Sequence, residues 1–468
     1  MRPGALPLAL TGAVVLLPTG AHAHAFAQRY DLPLPLWHYL AGAGATVALS
    51  FAVSALFLAG AHPSPTVRLA LPARAAGVLE RALGLLAIGA LALLLAAGFA
   101  GEQGDWDSNL LPVTVWVVWW VGVAFVSALV GGVWPLLDPW LAAARLFPQH
   151  RAPLRWPERL DAWPAVLLFL GFAWAELAWT ENAQPRKLAA LVAAYSLLTW
   201  TGMTLFGIEA WRANADPFAR FFGLFARAAP LALERGGVVV RPFGAGLLQE
   251  GPVPSAAAAG FVLLVLATVS FDGIAETPLW DGVVGAAMGL LYAAGIVQLI
   301  GYAAAGSLTK TLGLVATPLL FAAVYLGTCA LVGRIAGEPP GLTARRHVLS
   351  LVPIAIAYHL AHYLSYLLIQ GQAVWPLLSD PLNLGWDLFG TRGHAIDIGV
   401  VDMRFVWNFA LAAVVVGHVA AAVLAHLGAL RAAPGRRVAV ASQGPMLVLM
   451  VAYTMLSLWI LSQPIVEA

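Results

Sequence analysis

Long apolar segments constrain the fold of this chain more than any other feature. About eleven of them come close to the roughly 20 residues that a helix needs to cross a bilayer. They lie near 36–60, 82–100, 113–135, 162–180, 188–210, 256–271, 283–305, 312–333, 348–369, 404–427 and 444–462. Because lipid cannot hydrogen-bond a peptide backbone, such segments cross a membrane as helices. The sequence therefore predicts an all-α, polytopic transmembrane helical bundle in which no strand is required.

The composition supports the same class of protein. Of the 468 residues, 61% are hydrophobic and 10% are charged, whereas soluble domains carry about 25% charged residues. The net charge of +2 gives no reason to expect nucleic acid, and the composition makes membrane lipid the expected partner. Cys329 is the single cysteine, which excludes a disulfide framework and cofactors held by several thiolates.

The first residues are typical of a secretory signal peptide. Arg2 supplies the positive charge and residues 5–17 the apolar region, and "GAHAHAF" offers cleavage after Ala23 or after Ala25. The alternative is an uncleaved first helix, but Pro18 and the short apolar run argue against a full span. We therefore expect a multi-pass membrane protein that is targeted by a cleaved signal peptide.

The charges of the loops predict their sides of the membrane. After a signal peptide at 1–23, residues 24–468 are expected to form a single transmembrane domain. Lys and Arg concentrate in cytoplasmic loops, so the Arg-rich loop 211–255 is predicted to be cytoplasmic and the Asp-rich loop 370–403 external.

The second half of the chain conflicts with strict alternation. The loops that contain Arg334 and Arg431 should be cytoplasmic by their charge, but eleven consecutive crossings place them outside. Either one segment between 256 and 333 is re-entrant, or the charge rule fails locally. The shortest segment, 256–271, is the one that we expect to be re-entrant.

Loop 211–255 contains a candidate surface helix. "DPFARFFGLFARAAPLALE" (216–234) places four phenylalanines between arginines. This pattern predicts an amphipathic helix on the inner membrane surface, or alternatively the cap of a helical hairpin.

The segment "AYHLAHYLSYLLIQGQ" contains a polar stripe. Each residue of a helix advances the direction of the side chain by about 100°. His359, His362, Tyr363, Tyr366 and Gln370 therefore share one face. Because lipid cannot satisfy polar groups, this face is expected to point into the bundle or into a water-filled cavity.

The next apolar segment supplies a further histidine at matching depth. If the two segments run antiparallel, His359 and His418 differ in depth by about 3 Å. His359, His362 and His418 therefore form a candidate metal site, because three neutral imidazoles suit zinc or copper. Alternatives are a hydrogen-bonded network between helices and, less favoured, a haem. Cleavage after Ala23 would also leave His24 first, where its amine and ring can chelate copper.

Two carboxylates are candidate catalytic groups. Glu176 lies inside an apolar segment, where an ionised side chain is unfavourable unless it is paired or functional. Asp272 follows the segment 256–271 directly, with Glu276 close behind. Asp272 is either part of a turn or a ligand at a broken helix, and Gln298 is a lesser candidate.

Several stretches together resemble a known family. The chain is similar to bacterial integral membrane proteins of the fenitrothion hydrolase family over nearly its whole length. The resemblance is carried by "AHAHAFAQRYDLPLPLW" (21–37), "SFDGIAETPLW" (270–280), "AYHLAHYLSYLLIQGQ" (357–372), "SDPLNLGWDLFG" (379–390) and "GHVAAAVLAH" (417–426). The resemblance implies hydrolysis of the P–O–aryl bond of an organophosphorus ester, which is a small lipophilic substrate, and it implies a location in the bacterial plasma (inner) membrane.

The residues suggest how such hydrolysis would proceed. His359, His362 and His418 would hold a divalent metal that generates hydroxide, with Asp272 as a fourth ligand or a base. Two alternatives remain open. A transporter or channel also places His, Glu and Asp near the midplane, and the chain could instead be a membrane subunit of a metal or redox complex.

Overall fold

The structure is a computed structural model that describes residues 32–58, 60, 65–70, 72–147, 152–234, 237–248 and 251–463. The predicted signal peptide, its two cleavage sites and His24 lie outside these residues. The α-helices are α1 (Leu36–Phe57), α2 (Ala73–Ala100), α3 (Leu110–Val113), α4 (Ala124–Leu129), α5 (Trp134–Leu137), α6 (Pro139–Leu146), α7 (Trp163–Leu177), α8 (Pro185–Phe206), α9 (Ile208–Asn214), α10 (Pro217–Ala226), α11 (Ala256–Ala275), α12 (Pro278–Ala293), α13 (Ile296–Ile300), α14 (Tyr302–Ala336), α15 (Pro340–His347), α16 (Val352–Gln370), α17 (Val374–Ser379), α18 (Met403–Ala432), α19 (Arg436–Ser442) and α20 (Gly444–Leu461).

The prediction of an all-α, multi-pass bundle is confirmed. Among the described residues, nine helical stretches are long and apolar enough to cross a membrane. One of them runs from Leu110 to Leu129, because the π-helical stretch Thr114–Val123 joins α3 to α4. The apolar helices α7 and α10 are shorter.

A small sheet contradicts the expectation that the chain needs no strand. The strands β1 (Val67–Ala70), β2 (Leu231–Glu234) and β3 (Gly237–Val240) pair antiparallel in the order β1-β3-β2. They lie in the connections after α1 and after α10. The β-branched valines of β3 favour extended backbone, and hydropathy alone does not reveal strands outside the apolar spans.

The segment 256–271 is not the interrupted one. The helix α11 runs without a break over 20 residues, so the prediction of a re-entrant segment there is wrong. The interruption lies between α12 and α14, where Gly295 (φ 74°) and Gly301 (φ 85°) adopt left-handed backbone that favours glycine. The predicted apolar segment 283–305 therefore contains most of α12, the short helix α13 and the first residues of α14.

The course of α12 accounts for the orientation conflict. Gly313 of α14 packs against both Trp280 of α12 and Phe271 of α11. The residues of α14 before Gly313 therefore extend about 16 Å beyond this contact, and α12 packs against them. We interpret α12 as running back beside α14 without crossing the membrane, which removes one crossing from the count. The loops that contain Arg334 and Arg431 then fall on the same side as loop 211–255. The hydrogen bond from Arg431 to the carbonyl oxygen of Leu248 agrees with this interpretation, because Leu248 belongs to loop 211–255.

The helix α10 is part of the protein core. Its four phenylalanines are 0–6% exposed and pack against aromatic rings of the π-helical stretch and α7, namely Trp119, Trp120, Phe169 and Phe172. The prediction of a helix lying on the membrane surface is therefore wrong. An aromatic face suits either lipid or protein, and the tertiary contacts decide between them.

Candidate functional site

The site is built on α11 and α16, two central helices. Most residues of both helices are buried, and α16 packs against α11, α18 and the π-helical stretch. Ser255 begins α11 by accepting a hydrogen bond from the backbone N–H of Ala258, and Pro353 occupies the first turn of α16, where no N–H is needed. Polar side chains on such helices must find partners within the bundle.

An acidic pair and an imidazole converge between these helices. His362 Nε2 lies 2.9 Å from Asp272 Oδ2. Glu276 follows Asp272 by four residues, which places both side chains on the same side of the end of α11. One ligand atom from each of the three residues lies within 4.8 Å of the others. Asp272, Glu276 and His362 are therefore a candidate metal-binding group, which we call the acidic triad.

Tyr363 links this triad to Glu176 on α7. Its hydroxyl oxygen lies 2.5 Å from Asp272 Oδ2 and 3.2 Å from Glu176 Oε1. A phenol carries one proton, so it donates to one of these carboxylates at a time. The structure therefore brings together Glu176, Tyr363, Asp272 and His362, all of which the sequence singled out.

His359 lies beside this chain of groups but outside the triad. Its ring is within 4.7–5.9 Å of the rings of Tyr363, Trp120, Phe225 and Phe221. With Glu176 and Tyr363 it lines a small cavity with mostly apolar walls. The residue is 2% exposed, and its Nε2 has no hydrogen-bond partner among the described residues.

His418 faces a different part of the bundle. Gly417 packs against Ala357, so His418 and His359 do lie at comparable depth. However, the ring of His418 is 5.6 Å from that of Tyr453 on α20, and its Nδ1 lies 2.8 Å from the carbonyl oxygen of Val414. The three predicted histidines therefore do not form a ligand group. His418 lies against Tyr453 of α20, whereas His359 lies against Trp120 and Tyr363.

The remaining predicted polar residues lie apart from the acidic triad. Tyr366 is buried one turn beyond His362. The side-chain oxygen of Gln370 is buried without a hydrogen-bond partner among the described residues. Gln298 is exposed on the short helix α13, where it donates to the carbonyl oxygen of Tyr292 at 3.3 Å.

Glu276 is the residue that the prediction of the site did not include. Its spacing of four residues from Asp272 could have predicted its place in the site, because residues four apart bring two carboxylates together on a helix. The Asp-Gly pair at 272–273 favoured a turn instead. The helix continues to Ala275, and this extra turn places Glu276 beside Asp272.

The loop predicted to be external is ordered. Asn383 donates to Glu102 at 3.1 Å, which connects this loop to the end of α2. Hydrogen bonds from the backbone of Gly104 and from Asn383 hold the pKa of Glu102 below its ordinary value. Asp387 accepts from Ser379 at 2.8 Å, and its pKa is lowered first by this hydrogen bond.

Comparisons with known proteins identify no relative. No protein-family model, curated protein or solved structure matches the chain. The chemistry of the site therefore has to be argued from its own residues.

Proposed function

We propose that this protein is a membrane-embedded, metal-dependent hydrolase of lipophilic organophosphorus esters. The observation that supports the proposal best is the acidic triad, in which Asp272, Glu276 and His362 offer ligand atoms within 4.8 Å of one another. Two carboxylates and one imidazole are a suitable ligand set for zinc, which in catalytic sites keeps a fourth position for water. This set replaces the three histidines predicted from the sequence.

The reaction requires hydroxide and a place for a proton. A divalent metal in the triad would lower the pKa of bound water and polarise the phosphoryl oxygen. Hydroxide supplied in this way would form a bond to phosphorus while the bond from phosphorus to the aryloxy oxygen breaks. One proton of the water ends on the released aryl alcohol. Tyr363 and Glu176 can hold and return this proton, because their hydrogen bonds lead directly to Asp272.

The surroundings of the site favour a neutral, lipophilic substrate. Asp272 and His362 are 8% exposed and lie on apolar helices, so a charged substrate would lose its hydration on entry. An aryl phosphotriester carries no net charge and partitions into lipid. The resemblance to fenitrothion hydrolases supports the same substrate class.

Metal content and turnover together test the proposal. Wild-type protein purified in detergent is expected to contain about one zinc per chain and to release nitrophenol from a nitrophenyl phosphotriester. Asp272→Asn, Glu276→Gln and His362→Ala should each lose metal and turnover in parallel, because each removes a ligand.

The matched control is His418→Gln, which changes a buried histidine outside the triad and should retain the metal. A wild-type protein without bound metal, or a His362→Ala protein with full metal content and turnover, would refute the proposal.

A proton-coupled transporter is a second candidate function. It is favoured by the buried chain from Glu176 through Tyr363 to Asp272, since such chains relay protons in transporters. Protein in liposomes with a trapped pH-sensitive dye should then conduct protons under an imposed potential, and Glu176→Gln should abolish this flux. Turnover of the phosphotriester without proton flux would favour the hydrolase.

A further inference from the structure

A second group of buried charges lies away from the acidic triad. Asp138 begins α6 in "LLDPW", and Asp216 begins α10 in "NADPF". Asp138 accepts a hydrogen bond from the backbone N–H of Leu141 at 2.9 Å. Asp216 accepts two, from Phe218 and Ala219, each at 2.9 Å. Both aspartates are therefore N-caps, and each is followed by a proline and an aromatic residue.

The two caps are packed together inside the protein. Asp138 and Asp216 are each 1% exposed. The rings of Trp140 and Phe218, two residues after each aspartate, stack with centroids 6.5 Å apart. Tyr195 of α8 contacts both rings and donates to Asp216 at 3.3 Å. The two helix starts therefore share one buried environment.

The positive charge facing this pair is that of Arg212 on α9. Its Nε lies 3.6 Å from Asp138 Oδ2, and neither atom has a hydrogen-bond partner among the described residues. Tyr195 is the further titratable group that faces the pair. If both carboxylates are ionised, one arginine faces two negative charges in a buried place, which is costly.

The pKa values of both aspartates are raised in this buried environment. Burial, and next the nearby charge of Asp216, raise the pKa of Asp138 to about 7. Burial also raises the pKa of Asp216, while its backbone hydrogen bonds oppose this change. Two interacting carboxylates of this kind titrate as a pair.

The pair is connected to the cavity beside the acidic triad. Asp216 caps α10, and Phe221 and Phe225 of α10 line the cavity that also contains His359, Glu176 and Tyr363. A change at the start of α10 therefore acts on the wall of this cavity.

We propose that one of the two buried carboxylates, Asp138 or Asp216, is protonated in the folded protein, and that release of this proton loosens α10 and with it the wall of the cavity. The pair is thus a pH-sensitive device at the predicted cytoplasmic end of the bundle. It does not depend on a metal in the triad, nor on which reaction the protein performs.

The direction of the effect follows from the raised pKa of Asp138. The folded protein binds the proton more tightly than the unfolded chain. The stabilisation is therefore complete at pH values below the ordinary range of aspartate, and it is lost as the pH rises through about 7. We expect α10 to be best ordered in mild acid and less ordered in mild base.

Hydrogen exchange measured by mass spectrometry tests the proposal. Full-length protein in detergent is compared at about pH 5.5 and about pH 8.5, on either side of the expected transition, with rates corrected for the intrinsic effect of pH. Wild-type peptides from α10 should exchange several-fold faster at the higher pH, whereas peptides from α20 should not change. Asp138→Asn keeps a capping oxygen but removes the charge, so it should abolish the difference at α10.

The matched control is Asp281→Asn, which neutralises an exposed aspartate on α12 and should behave as wild type. Equal exchange of wild-type α10 at the two pH values overturns the proposal, and so does an unchanged difference in Asp138→Asn. Should Asp138→Asn fail to fold, Asp216→Asn and the wild-type comparison of α10 with α20 decide the question. Because the readout involves neither metal nor turnover, its failure is distinct from failure of the proposed hydrolase.

Discussion

Tyr363 connects the two halves of the candidate site. Its hydroxyl oxygen lies within hydrogen-bond distance of carboxylates on α7 and on α11. It is not one of the three residues of the acidic triad. Its removal therefore separates proton handling from metal binding.

Tyr363→Phe is expected to keep the metal and to lose turnover by roughly 10²–10⁴-fold, the usual contribution of a positioned proton-transfer group. Elemental analysis and nitrophenol release measure the two effects on the same sample. Tyr358→Phe serves as a control, since Tyr358 is buried on the same helix and its hydroxyl has no hydrogen-bond partner among the described residues. Loss of metal in Tyr363→Phe would contradict the assigned role.

Gly417 permits the close contact between α16 and α18. A Cβ atom at this position would lie 2.3 Å from the Cβ of Ala357 and 2.8 Å from the carbonyl oxygen of Pro353. Gly417→Ala is therefore expected to destabilise the protein by about 1–3 kcal/mol, as for other overpacked sites. Thermal unfolding in detergent measures the change. Gly428→Ala on the same helix meets nothing within 4 Å, and an equal effect of the two substitutions would contradict the packing argument.

At the scale of elements, α12 and α13 decide the topology. If α12 is a crossing helix, as strict alternation of eleven crossings requires, the turn region 294–301 lies on the same side of the membrane as loop 211–255, because α11 and α12 are the two crossings between them. The packing of Gly313 against Trp280 and Phe271 returns the chain to the side from which α12 started. The two alternatives therefore predict opposite accessibility for this turn.

Leu299→Cys and Phe243→Cys, the latter in loop 211–255, are expected to react from opposite sides of the membrane. Leu299 is 83% exposed and Phe243 is 63% exposed, while the natural Cys329 is buried. Oriented vesicles treated with a membrane-impermeant maleimide, before and after permeabilisation, measure the sidedness. Labelling of the two cysteines from the same side would restore α12 as a crossing helix.

At the scale of the whole molecule, a metal in the triad should cross-link α11 and α16, because its ligands come from both helices. A ligand that binds the folded state alone raises its stability in proportion to the logarithm of its concentration over Kd. Zinc is therefore expected to raise the melting temperature of the wild type by several degrees, and a chelator should reverse this. The melting temperature of His362→Ala should not respond to zinc. An equal shift in both proteins would indicate nonspecific binding.

The sequence predicted the class of fold because the physical cause is local. An apolar run of about 20 residues has few stable states in lipid other than a helix, and neighbouring segments do not alter that choice. The polar stripe of α16 was also predictable, since helical geometry places His362 and Tyr363 near one another. The predicted break at 256–271 was wrong, because apolar length alone does not reveal that Gly295 and Gly301 interrupt the following segment instead.

The composition of the site was decided by the tertiary structure. Helical periodicity shows which side chains share a face of one helix, but it does not show which neighbouring helix that face meets. His418 has the depth to join His359, yet it faces Tyr453 on α20. Asp272 and Glu276 take its place, because α11 packs against α16 and continues to Ala275. The sequence by itself determined a membrane bundle with a polar stripe, since burial of apolar residues in lipid is a property of each segment. The packing of one helix against another determined which polar groups meet, since that depends on the rotation and depth of several helices at once.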